Sequence, residues 1–353
     1  MVKVNREELF RKTVEILTAL GENRPEAEFA AESMVFSDLR GINTHGTYLL
    51  TPIVSRVKAG QMALPTRIQT VLEDEAVGLI DGGNGLGAVA GKAAIELCVN
   101  DALKFGISIV LIRNTNNLGA LAFYTERIAK QGMIALMGCN AAPAMAPWGG
   151  AEAFLGTNPI AISFYSDNDL RFSADMATSI VARGKIRKAA REGKTIPDSW
   201  ALDRNGNLTT NPLEALKGAL LPMGGPKGSA IAMAIDLLAG MVSGSAYAPN
   251  IKSFHVLDGI TGVGAFMIAI DITRFMPLKQ FDKSIHEYFD KVKGLKKAGF
   301  TSEIYLPGEL EHLNEIRNNK NGIPMDEKTI EAIDMFLDEY GIKQKINLLE
   351  WIK

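Results

Sequence analysis

Apolar positions recur at helical spacing from the start of the chain. Leu9, Phe10, Ile16, Leu17 and Leu20 share one face of a helix that Asn5 is suited to cap and Gly21 to end. A second helix is predicted from Pro25, with Ala27, Ala30, Ala31, Met34 and Val35 on its apolar side and Gly41 closing it. A polar turn, Gly41 to Gly46, follows. From about Arg67 the pattern changes to short apolar runs alternating with helical ones. Ile68–Leu72, Val77–Ile80, Ile107–Ile112, Met133–Met137, Ile160–Phe164 and Phe266–Ile270 predict strands. Ala88–Lys104, Ala120–Gln131 and Gly228–Met241 predict helices. The first two strands are separated by Glu73 to Ala76, a hairpin spacing, so the sheet is expected to be mixed. Phe281, Ile285, Tyr288 and Val292 mark a later helix; Ile330, Ile333, Phe336 and Leu337 mark another, stopped by Gly341. The expected organisation is α/β: a helical unit in which residues 1–66 pack with residues 321–353, and an α/β domain over 67–320.

Composition narrows the function. The 353 residues are 47% hydrophobic, enough for about two compact units at roughly 150 residues each. Lys and Arg (38) nearly balance Asp and Glu (40), which argues against the electropositive surface of a nucleic-acid binder. The two cysteines, Cys98 and Cys139, form neither a metal spacing nor a disulfide framework. The opening residues lack the apolar core of a signal peptide, and the apolar stretch Ser229–Val242 carries Asp236 and is short for a membrane span. A cytoplasmic protein with no membrane partner is expected.

Several short segments could carry chemistry. Gly83, Gly85 and Ala88 can be aligned with a Gly-x-Gly-x-x-Ala dinucleotide fingerprint between a strand and a helix. The acidic residue that fingerprint needs about 20 positions on is missing, because Asp101 falls inside a predicted helix. A tight turn is the competing reading. Gly224-Gly-Pro-Lys-Gly-Ser229 precedes an apolar helix, where free amides and the Lys227 ammonium would suit an anion. Asp175, in the polar segment Asp175–Ser179, could cap a following helix or accept from a ribose hydroxyl. After it, Arg183, Lys185, Arg187, Lys188, Arg191 and Lys194 form a basic run, read as a solvated helix face or a cofactor-phosphate contact. Of the four histidines, His45, His255, His286 and His312, only His45 stands in a glycine-flanked polar turn, making it the candidate acid/base near neutral pH.

Nine segments taken in order resemble the malate/L-lactate dehydrogenase family of NAD(P)-dependent oxidoreductases. They are Asp38–Gly46, Asp81–Gly87, Asn114–Gly119, Ala146–Gly150, Leu155–Pro159, Asp175–Ser179, Ile196–Trp200, Pro226–Gly228 and Leu306–Glu309. The resemblance implies a non-Rossmann α/β fold with a largely antiparallel sheet, and a homodimer. It implies dinucleotide contacts from Asp175, Met176, Ala177, Lys227, Gly228, Pro307, Gly308 and Glu309. It also implies substrate contacts from Thr44 and Asn140, and proton transfer by His45.

Three departures from the family pattern bear on specificity. Asn117 stands where the family often has a second histidine; an amide donates a hydrogen bond but shuttles no proton. Leu49 stands where many members have an arginine suited to a substrate carboxylate. Ala141-Ala142 replaces the Ser-Asp pair of the ureidoglycolate enzymes, which argues against that substrate. The expectation is hydride transfer between nicotinamide and a 2-hydroxy or 2-oxo acid, with His45 as acid/base and Asn117 as a substrate donor. NAD is favoured, with NADP possible. Reduction of a cyclic imine and a non-catalytic dinucleotide-binding paralogue are the alternatives.

Overall fold

In the computed structural model, residues 2–166, 171–342 and 346 are described. The opening helices form as their pattern predicts. Asn5 Oδ1 accepts from the amides of Glu7 (2.8 Å) and Glu8 (3.2 Å), capping α1 (Arg6–Ala19). Pro25 lies in the first turn of α2 (Arg24–Leu39), where its missing N–H costs nothing. Two turns of 3-10 helix, Asn43–His45 and Thr47–Leu49, lead into α3 (Leu50–Lys58). Strand β1 (Val2–Val4) pairs antiparallel with β9 (Ile323–Met325), which brings the N-terminus to the C-terminal helix α11 (Glu327–Glu339). One hydrophobic cluster therefore joins Leu9 and Leu17, Ile53, and Ile333 and Leu337, and it also takes in Leu86 and Val89. Residues 343–345 and 347–353 of the predicted 321–353 segment lie outside the described residues.

The remaining strands make one seven-stranded sheet. They are β2 (Gln69–Asp74), β3 (Val77–Asp81), β4 (Ile107–Thr115), β5 (Met133–Cys139), β6 (Ile160–Tyr165), β7 (Arg171–Met176) and β8 (Val263–Asp271), in the spatial order β2-β3-β4-β8-β5-β6-β7. Only β3 and β4 run parallel, joined through α4 (Gly87–Phe105); every other neighbouring pair is antiparallel. The sheet is mixed and largely antiparallel. Alternation along β8 shows how it is covered. Ala265, Met267 and Ala269 face the cluster formed with α4 and α5 (Ala122–Ala129), while Phe266 and Ile268 face Ile235 and Ala239 on the opposite side. Ile235 lies on a helix over Pro226–Asp236, which widens into a π-turn over Leu237–Val242 within the stretch predicted as one helix. Between α5 and that helix the chain adds α6 (Arg183–Arg191) and a single turn, α7 (Pro212–Ala215), making Pro226–Asp236 α8. The helices α9 (Leu278–Lys293) and α10 (Glu309–Asn321) precede α11.

Two elements differ from the sequence reading. Asp175 and Met176, read as part of a polar turn, end strand β7. Its apolar residues Phe172, Ala174 and Met176 alternate, but the strand is a sheet edge whose inward Ser173 is satisfied by Ser163 Oγ at 3.2 Å. Helix α10 was missed although Leu310, Leu313 and Ile316 hold helical spacing; all three are exposed, so no apolar face is buried there. No helix among the described residues is long and apolar enough to cross a membrane.

Candidate active site

His45 lies on the 3-10 turn after α2, and the turn is pinned from beneath. Asp38, near the end of α2, is buried; its Oδ2 accepts from Thr47 N (2.8 Å) and Thr47 Oγ1 (2.7 Å). Burial pushes the Asp38 carboxyl up to about 7, with the Thr47 bonds opposing the shift. Gly46 fits between because it has no Cβ: one would lie 1.9 Å from Asp38 Oδ1. Thr44 Oγ1 is 3.0 Å from His45 Nδ1, which engages that ring nitrogen and leaves Nε2 for a ligand. Burial first, and then the nearby His255 charge, lower the His45 pKa below the usual histidine value.

The loop Asn117–Ala122 connects this turn to β7. At one end, a Cβ on Gly119 would lie 3.7 Å from the His45 carbonyl oxygen. At the other, Ala122 N donates to Asp175 Oδ2 at 2.9 Å. Asp175 thus caps a helix, as one sequence reading allowed, but the helix is α5, which precedes it by some 50 residues rather than following it. Burial pushes its carboxyl up to about 6, the α5 amides pull it down, and Glu126 and Glu311 raise it. Asn117 Oδ1 accepts from Gly119 N (2.8 Å), which fixes the amide and leaves Nδ2 to donate.

A buried charge network ties three of these elements together. Arg40, just past Asp38 at the end of α2, donates in bidentate fashion to Glu126 on α5 (2.5 and 2.8 Å) and also to Glu315 on α10 (3.0 Å). The fork geometry of the guanidinium satisfies two carboxylates at once.

The other predicted residues follow the sheet edge. Ser173 N donates to Pro307 O (3.1 Å), and a Cβ on Gly308 would meet Ser173 O at 2.8 Å, so the Pro307–Glu309 turn lies against β7. The Glu309 carboxylate is taken by Lys293 (2.6 and 2.7 Å) and the Leu306 amide (2.8 Å). Past Met176 and Ala177, Thr178 O accepts from Met223 N (2.8 Å), and Met223 O accepts from Gly228 N (3.0 Å), which brings the α8 N-terminus alongside. There Lys227 is an exposed cation in the first turn of a helix whose Gly225 cap offers no side-chain acceptor, and Met176 presents an exposed apolar surface. A cation at a helix N-terminus beside an apolar edge fits the phosphates and rings of a dinucleotide. Asn140 is buried, with its amide hydrogens on Asp236 (3.2 Å) and the Ala246 carbonyl (2.8 Å) and its Oδ1 on Gly264 N (2.9 Å). Its side chain braces the sheet against α8.

The fingerprint-like glycines are structural. A Cβ on Gly83 would meet Arg67 O at 2.5 Å, on Gly85 the Thr66 side chain at 2.4 Å, and on Gly87 Asn117 O at 2.3 Å. Close packing against protein atoms requires glycine at these positions. Although β3, α4 and β4 form a parallel crossover, this is no Rossmann site.

Comparison with known proteins agrees with the geometry. Residues 4–334 match the family model described as malate/L-lactate dehydrogenase. The chain belongs to the malate/L-lactate dehydrogenase family. Malate dehydrogenase of Pyrococcus horikoshii is 35% identical over 350 residues, covering 97% of this chain and 96% of that one. L-sulfolactate dehydrogenase of Methanocaldococcus jannaschii is 37% identical over 330 residues, covering 93% and 94%. A solved structure of sulfolactate dehydrogenase from the same archaeon superposes with a TM-score of 0.92 at 35% identity, covering 97% of this chain and 98% of that one. As a member of the malate/L-lactate dehydrogenase family, the chain is an NAD(P)-dependent dehydrogenase.

Sequence reasoning missed Arg40 and Asp38 as supports of the His45 turn and His255 as a group that acts on His45. Asp38 and Arg40 were visible beside His45, but nothing local says that both are buried. His255 comes from a loop about 210 positions away, and only tertiary contact reveals it.

Proposed function

We propose that the protein interconverts a 2-hydroxy acid and its 2-oxo acid with NAD, and that His45 moves the proton. When bound, the nicotinamide supplies or accepts the hydride at the carbon next to the carboxylate. In the reducing direction His45 Nε2 donates a proton to the oxygen on which charge develops; in the oxidising direction the neutral ring removes it. Thr44 holds the ring through Nδ1, and Asn117 Nδ2 donates to the substrate oxygen or carboxylate. Lys227 and the α8 N-terminus would take the pyrophosphate. Met176 with Ala177 would line the ring, and Pro307, Gly308 and Glu309 would border the far ribose. Asn140 acts from behind, keeping α8 in register with the sheet.

One observation carries this reading: a single short loop, Asn117–Ala122, touches the His45 turn at one end and Asp175 of the cofactor edge at the other. Proton donor and cofactor strand are thereby held side by side. The names of the relatives, malate and L-sulfolactate dehydrogenase, support a 2-hydroxy acid as substrate. The family likeness supports a homodimer.

The test is a panel of 2-oxo acids and a cyclic imine, each assayed with NADH and NADPH on wild type and His45→Gln. Expected is NADH oxidation by an oxo acid, with kcat lowered about 10²- to 10⁴-fold in His45→Gln and the Kd for NADH unchanged. Full activity in His45→Gln, or turnover of the imine alone, overturns the proposal.

A further inference from the structure

We infer that His255 is a second histidine of this active site, that with Arg187 it receives the anionic group at the far end of the substrate, and that Arg56 holds it in place. The inference rests on the hydroxy-acid reading above and adds the part of the substrate that His45 does not touch.

The argument begins with Arg56 on α3, whose side chain is completely buried. Its guanidinium donates to the carbonyl oxygens of Phe254 (2.8 Å), Val256 (2.8 Å) and Gly259 (3.0 Å), and also to that of Ser253. Burying a guanidinium costs several kcal/mol unless its donors are satisfied, and here one cation satisfies itself on the backbone of a single loop. The effect is to fix loop 253–259 with its carbonyls turned inward. His255 is the residue this loop presents at the site. Its ring lies 6.0 Å from that of Tyr48, three residues past His45. Its neighbour Phe254 lines a small cavity together with Leu49, Asn117, Leu118 and Gly119. The loop therefore borders both His45 and the Asn117 donor.

Helix α6 closes the third side. A Cβ on Gly184 would lie 3.6 Å from Thr44 Cγ2, so this face of α6 stands against the His45 turn. Arg187 is one turn further on the same face, exposed. Burial lowers the basicity of His255, and the charges of Arg187 and Arg56 lower it further. The titratable and charged groups that act on it are His45, Arg56 and Arg187; Asp258, the carboxylate of its own loop, acts on Arg56 and lies 3.8 Å from Lys252. The Arg187 guanidinium, with the His255 ring as an N–H donor near the His45 turn, suits a dianion, meaning a 2-oxo acid with a second carboxylate or a sulfonate.

The experiment compares His255→Gln and Arg187→Ala with wild type, using oxaloacetate and pyruvate at saturating NADH. Each variant is expected to raise KM for oxaloacetate about 10-fold, since a charge-assisted hydrogen bond contributes about 1.4 kcal/mol or more. KM for pyruvate and kcat should stay within about twofold of wild type. Equal changes for both acids, or none, overturn the inference. So does an Arg187→Ala effect confined to NADPH, which would assign α6 to a cofactor phosphate. Calorimetric titration with succinate gives a readout independent of turnover. Binding about 10-fold weaker in His255→Gln supports the inference even if no oxo acid is reduced; no binding to wild type, or equal binding, overturns it. Inactivity of wild type on every oxo acid would instead count against the hydroxy-acid reading.

Discussion

Replacing Gly46 with alanine tests how the turn that carries His45 is held. Gly46 has φ −90° and ψ −150°, an extended conformation open to any residue, so the backbone itself sets no penalty. The penalty comes from contact. An added Cβ would lie 1.9, 2.2 and 2.6 Å from Oδ1, Cγ and Oδ2 of Asp38, far inside van der Waals distance. Asp38 is buried and cannot swing into solvent, and its Oδ2 is committed to both the amide and the hydroxyl of Thr47. Either the carboxylate gives up those two bonds or the turn lifts away. Two hydrogen bonds to a buried carboxylate, at about 1.5–3 kcal/mol each, give a loss of roughly 3–6 kcal/mol. Lifting the turn also moves His45, and a displacement of about 1 Å at a proton donor can cost about 10²-fold in rate. Gly60→Ala serves as the control. Its Cβ meets nothing within 4 Å, and only its φ of +67° is strained, at about 1–2 kcal/mol. Denaturant unfolding at pH 8, above the raised pKa of Asp38, measures the first effect, and kcat/KM with the best oxo acid measures the second. Gly46→Ala as stable as Gly60→Ala, with kcat/KM unchanged, would refute the reasoning.

Arg40→Met should destabilise the fold by about 3–5 kcal/mol, because it leaves the buried Glu126 without its bidentate partner and unties α2 from α5 and α10. A melting temperature within about 2 °C of wild type would show that the network contributes little. The pH profile of hydroxy-acid oxidation follows the neutral, proton-accepting form of His45. Since burial and the His255 charge lower its pKa, kcat/KM should rise with pH through a midpoint below the usual histidine value of 6.5. In His255→Gln one cause of that depression is gone and the midpoint should move up; a downward shift would contradict the placement of His255 beside His45.

Local pattern alone located most of the fold. The cap at Asn5, the breaks at Gly21 and Gly41, and the six apolar runs are short-range signals, and the elements they predict form within a few residues of the expected limits. The nine short segments pointed to the family even though each is weak alone. Edge strand β7 and helix α10 carry readable periodicity, Phe172-Ala174-Met176 and Leu310-Leu313-Ile316, but each is short and half polar, and the sequence reading took Asp175–Ser179 as a turn instead. The fingerprint-like glycines show the opposite error. Their spacing is compatible with a phosphate loop, and only the positions of Arg67, Thr66 and Asn117 show that close packing of neighbouring backbone and side chains requires glycine there.

What the sequence determined by itself is most of the elements, the family and His45 as the candidate acid/base, because periodicity, caps and short motifs are encoded over a few residues. Tertiary structure decided the surroundings of that histidine. Asp38 beneath it, the Arg40 fork and the Arg56-held loop with His255 depend on burial and on contacts across as many as 275 positions of chain. Whether a charged side chain is solvated or buried against a partner is settled by what packs over it, and no local pattern encodes that.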